Sequence, residues 1–275
     1  MAGTTEQRSR RVAVVSGAAR GIGHATAALL LRNGWRVGAF DIETRGLTEL
    51  KDIAAAHGTT VVTGPLDVGD AQQWRDALAS VCEDHLDLLV NNAGLLSAGP
   101  FVDTDLERHR ALVDVNVIGT INGAHTAFPY LKNADRPVLL NLGSASAIYG
   151  QPDLATYSAT KFAVRGLTEA LELEWAEHGI AVLDLWPLFV NTGMVKGVSI
   201  GAIQSFGVRL NETDVAAAAV AAVERSVKAR NRRWPRNVHR AVGVQARFLA
   251  ATAQISPNWA NRLLTERLTR RPDVH

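Results

Sequence analysis

Residues Val12 to Ser16 form a short apolar run, rich in β-branched side chains, that breaks at once into glycines at 17, 21 and 23. A run this short, without polar alternation, suits a strand buried on both faces of a parallel sheet. The stretch from Gly23 to Asn33 is rich in alanine and leucine and suits a helix, which Gly34 stops. A strand, a glycine turn and a helix in that order leave few architectures open. Parallel strands need long crossovers, and within one sheet those crossovers are right-handed.

The same alternation runs on along the chain. Trp35 to Phe40 reads as a strand ending at Asp41, Leu47 to His57 as a helix, and Thr59 to Thr63 as a strand. Ala71 to Glu83 reads as a helix and Leu86 to Val90 as a strand that enters Asn91-Asn92-Ala93-Gly94. Leu106 to Lys132 is one long helix or two, with Pro129 near its end. Val138 to Leu142 is a strand, Ala155 to His178 a helix closed by Gly179, and Ile180 to Leu185 a strand ending at Pro187. This order predicts an α/β fold, a Rossmann-like doubly wound parallel sheet. No internal repeat or low-complexity linker interrupts it. We therefore expect residues 1–275 to form a single domain, with a core of about 10–240 and a basic helical C-terminal extension of about 241–275.

At 275 residues, 47% hydrophobic and 20% charged, the chain can bury a core without staples. Cys82 is its only cysteine, which excludes an intrachain disulfide and a cysteine-based metal site. Residues 1–11 are polar and basic and lead into no apolar signal core, and no stretch approaches the roughly 20 apolar residues of a membrane span. A cytoplasmic location is the simplest expectation. The net charge of +2 hides an asymmetry. From Arg225 to His275 there are 12 Lys/Arg against two acids, and before Arg225 there are 17 against 25. Such a tail suits a solvated helical face or a subunit contact, and alternatively an anionic membrane surface.

The segment Ser16-Gly17-Ala18-Ala19-Arg20-Gly21-Ile22-Gly23 joins the first strand to the first helix. Glycines there let the backbone approach a ligand, and the helix behind them offers unpaired N–H groups and a positive dipole end. That combination binds a pyrophosphate. Asp41, at the end of the second strand, stands where such folds use an acid to hold the adenosine ribose. Its charge would repel a 2′-phosphate and argues for NAD, whereas Arg20 and Arg45 pull toward NADP.

Tyr157 and Lys161 lie four residues apart, on one face of the helix expected from Ala155. A phenol's pKa of roughly 10 is too high for proton exchange at neutral pH, and a neighbouring ammonium lowers it. Tyr157 would then serve as a general acid or base. The same spacing also arises by chance on solvated helices. Ser144 ends the strand Val138 to Leu142, where parallel sheets bind ligands, and its hydroxyl suits a substrate carbonyl. It equally suits a helix cap or turn, and Ser146 competes with it.

Together these motifs resemble the short-chain dehydrogenase/reductase family over about residues 10–195. The family pattern T-G-x-x-x-G-x-G appears with Ser16 for threonine. It is followed in order by Asp67 in Leu66-Asp67-Val68, Asn91 to Gly94, Asn116, Ser144, and Tyr157 with Lys161. The resemblance implies that Gly17, Gly21 and Gly23 shape the pyrophosphate turn, with Ile22 on the nicotinamide side. It implies that Asp67 and Val68 contact the adenine and that Asn92, Ala93 and Gly94 line the cofactor, although Asn91 and Asn92 equally suit structural hydrogen bonding. Ser144 would polarise the substrate oxygen and Tyr157 transfer the proton. Lys161 would hold the nicotinamide ribose, and Asn116 would position a water in a proton relay. Pro187 and Val190 would contact the cofactor, and Thr192 would bind its carboxamide. Leu188 departs from the family's Pro-Gly and brings a side chain to where the backbone normally passes the nicotinamide.

Tyr149, Leu95, Leu96, Leu188 and Met194 are expected to add to the substrate pocket. Met194 to about Leu210 is an apolar stretch that suits either a lid over an apolar ligand or an ordinary packed helix. After Arg236 to Val238, a candidate last strand, Ala241 to Ile255 and Trp259 to Arg271 read as helices that cover the pocket, dimerise or lie on a membrane. The expected function is interconversion of a secondary alcohol and a ketone with NAD(H), by a homo-oligomer, dimer or tetramer. The alternative is a non-catalytic nucleotide sensor on the same fold. Nucleic-acid binding has no supporting motif.

Overall fold

The computed structural model describes residues 10–188, 190, 210–228 and 238–255. Seven parallel strands make one sheet: β1 (Val12–Ser16), β2 (Arg36–Asp41), β3 (Val61–Pro65), β4 (Leu88–Asn91), β5 (Val138–Leu142), β6 (Ala181–Pro187) and β7 (His239–Val242). Their spatial order is β3-β2-β1-β4-β5-β6-β7. The chain therefore reverses its direction of growth between β1 and β4, the place where open α/β sheets bind ligands.

Helices cover both faces: α1 (Gly21–Arg32), α2 (Thr48–Ala56), α3 (Ala71–Val81), α4 (Leu106–Val113), α5 (Gly119–Leu131), α6 (Ala155–Glu174), α7 (Glu212–Lys228) and α8 (Val244–Ile255). The pleat divides each central strand between two cores. Ala13, Val15, Val90 and Leu140 point to the layer of α1, α2 and α7. Val12, Val14, Leu89 and Leu139 point to the layer of α3 and α5. This two-sided burial is why β1 and β5 read as continuous apolar runs.

A few helix ends follow from local chemistry. Asp70 caps α3, its side chain accepting from the N–H groups of Gln72 and Gln73. Gly34 and Gly179 adopt φ of 85° and 77°, the left-handed conformation that ends a helix. The long helical stretch after Leu106 is interrupted by a π-helical turn, Asp114–Ile118, between α4 and α5. Such turns insert a residue and re-aim side chains, and here the turn holds Asn116.

The tail differs from expectation. Ala241 and Val242 are not helical but belong to β7, the seventh strand, and Val238 precedes that strand rather than forming it. A polar clasp, buried at Asp184 and open to solvent at Glu169, ties β7 to β6 and α6. His239 Nδ1 lies 2.8 Å from Asp184 Oδ1 on β6, and Nε2 lies 2.8 Å from Glu169 Oε1 on α6. The His239 ring stacks on Trp186 at 4.4 Å. Burial works against charge on His239, but Asp184 and Glu169 outweigh it and raise the pKa. After β7, α8 folds back, and Ala246 and Leu249 pack on Ala145 and Leu188. This part of the tail thus walls the pocket side of the sheet. Residues 259–271, the second expected tail helix, lie outside the described residues.

Candidate active site

The turn after β1 is built by close packing. Gly17 and Gly21 have φ of 66° and 60°. A Cβ on Gly17 would meet Ala93 Cα at 2.8 Å, and one on Gly23 would meet the Gly17 carbonyl at 2.1 Å. Side-chain hydrogen bonds hold the end of β4 against this turn. Ser16 Oγ accepts from the N–H of Asn92 at 3.1 Å and of Ala93 at 3.2 Å. Asn92 Nδ2 donates to the carbonyls of Ser16 and Gly17, both at 2.9 Å. Ser16 thus supplies the hydroxyl that the family's threonine would. The N-cap of α1 is Arg20, no side chain caps the helix, and its first turn holds no acid. Its leading N–H groups and dipole are left for an anion.

The carboxylates nearby are anchored. Asp41 accepts from Ala19 N–H at 2.9 Å and from Glu43 N–H at 3.0 Å. Asp67 Oδ1 accepts from Gly69 N–H. The Val68 carbonyl takes hydrogen bonds from Trp74 Nε1 and Asn122 Nδ2.

On the other side of the switch point, β5 and α6 present Ser144, Tyr157 and Lys161. The Ser144 hydroxyl accepts from Ser146 N–H at 3.1 Å and lies 3.2 Å from Ser146 Oγ. Lys161, 6% exposed, donates to the Leu142 carbonyl at 2.8 Å. Its Nζ stands 5.6 Å from the centre of the Tyr157 ring. Burial lowers the Lys161 pKa to about 8, with the Asp184 charge opposing. The expected lowering of the Tyr157 pKa does not occur. Burial raises it, and the neighbouring Ser144 hydroxyl offsets only part of the rise. Desolvation of the phenolate outweighs its surroundings.

These residues border one cavity of about 510 Å³. Gly17, Arg20, Gly21, Ile22, Asp41, Asp67, Val68 and Asn92 to Gly94 line it from the β1–β4 side. Ser144, Tyr157, Lys161, Pro187, Leu188 and Val190 line it from the β5–β6 side, and Leu95 and Leu96 join them. Ser146, the competitor of Ser144, also faces it. Leu188 is 6% exposed and packs at the same time against α8.

Three expected residues stand apart from the lining. Gly23 acts behind the turn, by its contact with Gly17. Asn116 is 1% exposed and fully engaged. Its Oδ1 accepts from Leu95 N–H, and its Nδ2 donates to the Leu95 carbonyl and to Thr160 Oγ1 on α6. It braces the wall instead of facing the cavity, although a Cβ on Gly94 would touch both its Oδ1, at 3.2 Å, and Lys161 Nζ, at 3.9 Å. Tyr149 is not a lining residue but packs in the cluster of Leu188 and Leu249. Its ring lies in the apolar contact that α8 makes with Leu188. Thr192 and Met194 lie outside the described residues.

Sequence reasoning missed Gly143, Gln151, Leu154 and Glu212, which also line the cavity. Gln151 and Leu154 sit between Ser144 and Tyr157, and that position was their only signal. Glu212 comes from the first turn of α7, far along the chain, with no local motif to mark it.

The model of short chain dehydrogenases matches residues 11–203. The trans-4-hydroxycyclohexanecarboxylate dehydrogenase of Sinomonas cyclohexanicum is 31% identical over 209 residues, covering 73% of this chain and 80% of that protein. The 3-alpha-(or 20-beta)-hydroxysteroid dehydrogenase of Mycobacterium tuberculosis is 35% identical over 190 residues, covering 68% and 72%. A short chain dehydrogenase from Burkholderia cenocepacia, solved in complex with NADP, superposes with a TM-score of 0.78 at 26% identity, covering 95% of this chain and 98% of that one. With the glycine turn, the cavity at the switch point and these matches in agreement, the chain belongs to the short-chain dehydrogenase/reductase family of nicotinamide-dependent oxidoreductases.

Proposed function

We propose that this protein interconverts a secondary alcohol and a ketone with NAD(H), on a substrate whose body is apolar. The observation that carries this reading is the meeting of Ser144, Tyr157 and Lys161 on one cavity with the uncapped start of α1. The cofactor, when bound, supplies the hydride chemistry. The N–H groups of the α1 turn would hold its pyrophosphate, Asp41 its adenosine ribose, Asp67 and Val68 its adenine, and Lys161 its nicotinamide ribose. Ser144 turns its hydroxyl from Ser146 to the substrate oxygen, and Tyr157 gives or takes the proton there. Asn116 fixes Leu95 and α6 so that these groups keep their places. Leu95, Leu96, Leu154 and Leu188 supply the apolar wall.

A phenol whose pKa is raised by burial holds its proton at neutral pH. It is therefore poised to donate to a ketone, and alcohol oxidation should accelerate as pH rises toward deprotonation of Tyr157. A screen of NAD⁺ reduction over secondary alcohols, with Tyr157→Phe as the blank, tests the assignment. Absence of turnover on every alcohol, or full activity in the variant, would refute it.

Asp41 supports NAD over NADP, because its carboxylate lines the cavity where a 2′-phosphate would face it. The Burkholderia cenocepacia relative holds NADP, so direct titration decides. Tighter binding of NADPH than NADH would reject the NAD assignment. We further propose a cytoplasmic homo-oligomer, dimer or tetramer. The lone buried Cys82 suits a reducing compartment, and exposed Leu106, Phe162 and Leu173 suit subunit contacts. Among the described residues no helix is long and apolar enough to cross a membrane.

A further inference from the structure

His239 stands on β7, at the edge of the sheet, between two carboxylates. Its Nδ1 faces Asp184 Oδ1 on β6 and its Nε2 faces Glu169 Oε1 on α6, each at 2.8 Å. A carboxylate oxygen accepts, so both contacts need a proton, and a neutral imidazole carries one. The clasp is complete only while His239 and Asp184 hold a second proton between them. Burial raises the Asp184 pKa, and the hydrogen bond from His239 offsets part of that rise. Burial opposes charge on His239, but Asp184 and Glu169 outweigh it. The pair therefore keeps its proton past pH 6.5, the ordinary histidine value. Glu169, whose side chain is 48% exposed, opens the clasp to water.

The other charges nearby do not replace that proton. Arg165 on α6 donates to Glu169 Oε1 at 2.9 Å and lies 5.3 Å over the Trp186 ring. The stack of His239 on Trp186 favours the charged imidazole. Lys161 on α6 acts on Asp184 through its charge and donates to Leu142. On α8, Arg247 Nε lies 3.5 Å from the Ala241 carbonyl. Arg225 on α7 acts on Arg240, which strand alternation places on the opposite face of β7 from His239. What the clasp holds reaches the cavity. β7 is four residues long and, among the described residues, pairs with β6 alone. One residue, Gly243, joins it to α8. Ala246 and Leu249 of α8 pack on Ala145, next to Ser144, and on Leu188 of the cavity wall.

We propose that His239 is a positioning residue for the substrate: the protonated clasp seats β7, and with it α8, against Leu188, and loss of the shared proton loosens that wall. This rests on the oxidoreductase reading above only in calling the occupant a substrate. Because the folded pKa of His239 is raised, the clasp contributes fully below pH 6.5 and is lost as pH rises through the folded value. The wall is therefore firm on the acid side, where Tyr157 donates to a ketone, and slack on the alkaline side.

Hydrogen exchange of the α8 amides, corrected for the intrinsic rate, tests the clasp without any substrate. From about pH 6 to 9, protection should fall by about tenfold or more, the worth of a hydrogen bond to a charged group. Its midpoint should match the titration of the His239 Hε1 resonance. Glu169→Gln keeps an acceptor but removes its charge, and should move both midpoints down by about one unit. His239→Asn should leave α8 at the weakened level at every pH. In reduction of cyclohexanone by NADH, the KM for the ketone should rise several-fold through the wild-type midpoint and follow the shift in Glu169→Gln, while the Kd of NADH stays flat. Protection of α8 that is flat with pH, or a step that does not move in Glu169→Gln, overturns the proposal, as does a KM that stays flat while α8 loosens. Lack of turnover on cyclohexanone and on every alcohol of the screen above would instead refute the oxidoreductase reading, and the exchange data would still decide the clasp.

Discussion

On the β1–β4 side of the cavity the polar side chains are bound to backbone groups around them. Ser16, Asn92 and the glycine turn form one hydrogen-bonded unit, Asp41 holds Ala19, and Asp67 holds Gly69. On the β5–α6 side several polar groups are poorly served. Gln151 and the Tyr149 phenol lie beside each other short of good hydrogen-bond geometry, and desolvation disfavours charge on Lys161 and Tyr157. On the first side the side chains are fixed by one another, as suits the cofactor cradle proposed above. On the second side desolvation acts on the groups proposed to meet the substrate. Stability is concentrated where the ligand is generic and sacrificed where it is specific.

The most drastic way to break this contrast is Tyr157→Phe. It should lower turnover by about 10²–10⁴-fold, the usual worth of a general acid or base, while NADH titration remains near wild type. Weakened NADH binding of the same size would show that the phenol belongs to the cradle. Gly23→Ala attacks the other side. Its Cβ would lie 2.1 Å from a backbone oxygen that cannot rotate away. A loss of about 3 kcal/mol in denaturant unfolding, with weakened NADH binding, is expected.

Lys161 gives a pH signature. Its pKa in the folded state is about 8, below the 10.5 of an exposed lysine. Between those values the unfolded chain binds the extra proton, so stability should rise with pH from about 8 to 10.5, by on the order of 3 kcal/mol. Lys161→Met should flatten that rise, which urea unfolding at several pH values measures. A rise of the same size in the variant would assign it elsewhere. The smallest effect is expected of Ser16→Ala, which leaves the N–H groups of Asn92 and Ala93 without their acceptor. A cost of about 1–2 kcal/mol in a thermal melt would confirm the staple, and Ser16→Thr should restore it.

Much of the fold was legible along the chain. β1 and β5 begin and end where their apolar runs do, because strands buried on both faces carry an uninterrupted signal. Asn33-Gly34 and Gly179 marked helix ends because the left-handed conformation has few other occupants. β7 was harder. His239-Arg240-Ala241-Val242 has no strand-like run, and it joins the sheet through the clasp of His239 with Asp184 and Glu169. The site divides the same way. The glycine turn, Ser144, Tyr157 and Lys161 stood out because the proposed chemistry is written in their spacing. The engaged state of Asn116 and the packing of Tyr149 against the cluster of Leu188 and Leu249 had no such spacing to announce them.

The sequence by itself determined the alternation of strands and helices, the glycine turn and the helical spacing of Tyr157 and Lys161, since each depends on neighbours within a few positions. Only the tertiary structure decided the sign of the Tyr157 shift, the wall that Leu188 and α8 make, and the burial of Asn116. Those depend on what surrounds a group in space. Desolvation and hydrogen-bond satisfaction are sums over residues distant in the chain, and local pattern carries no record of them.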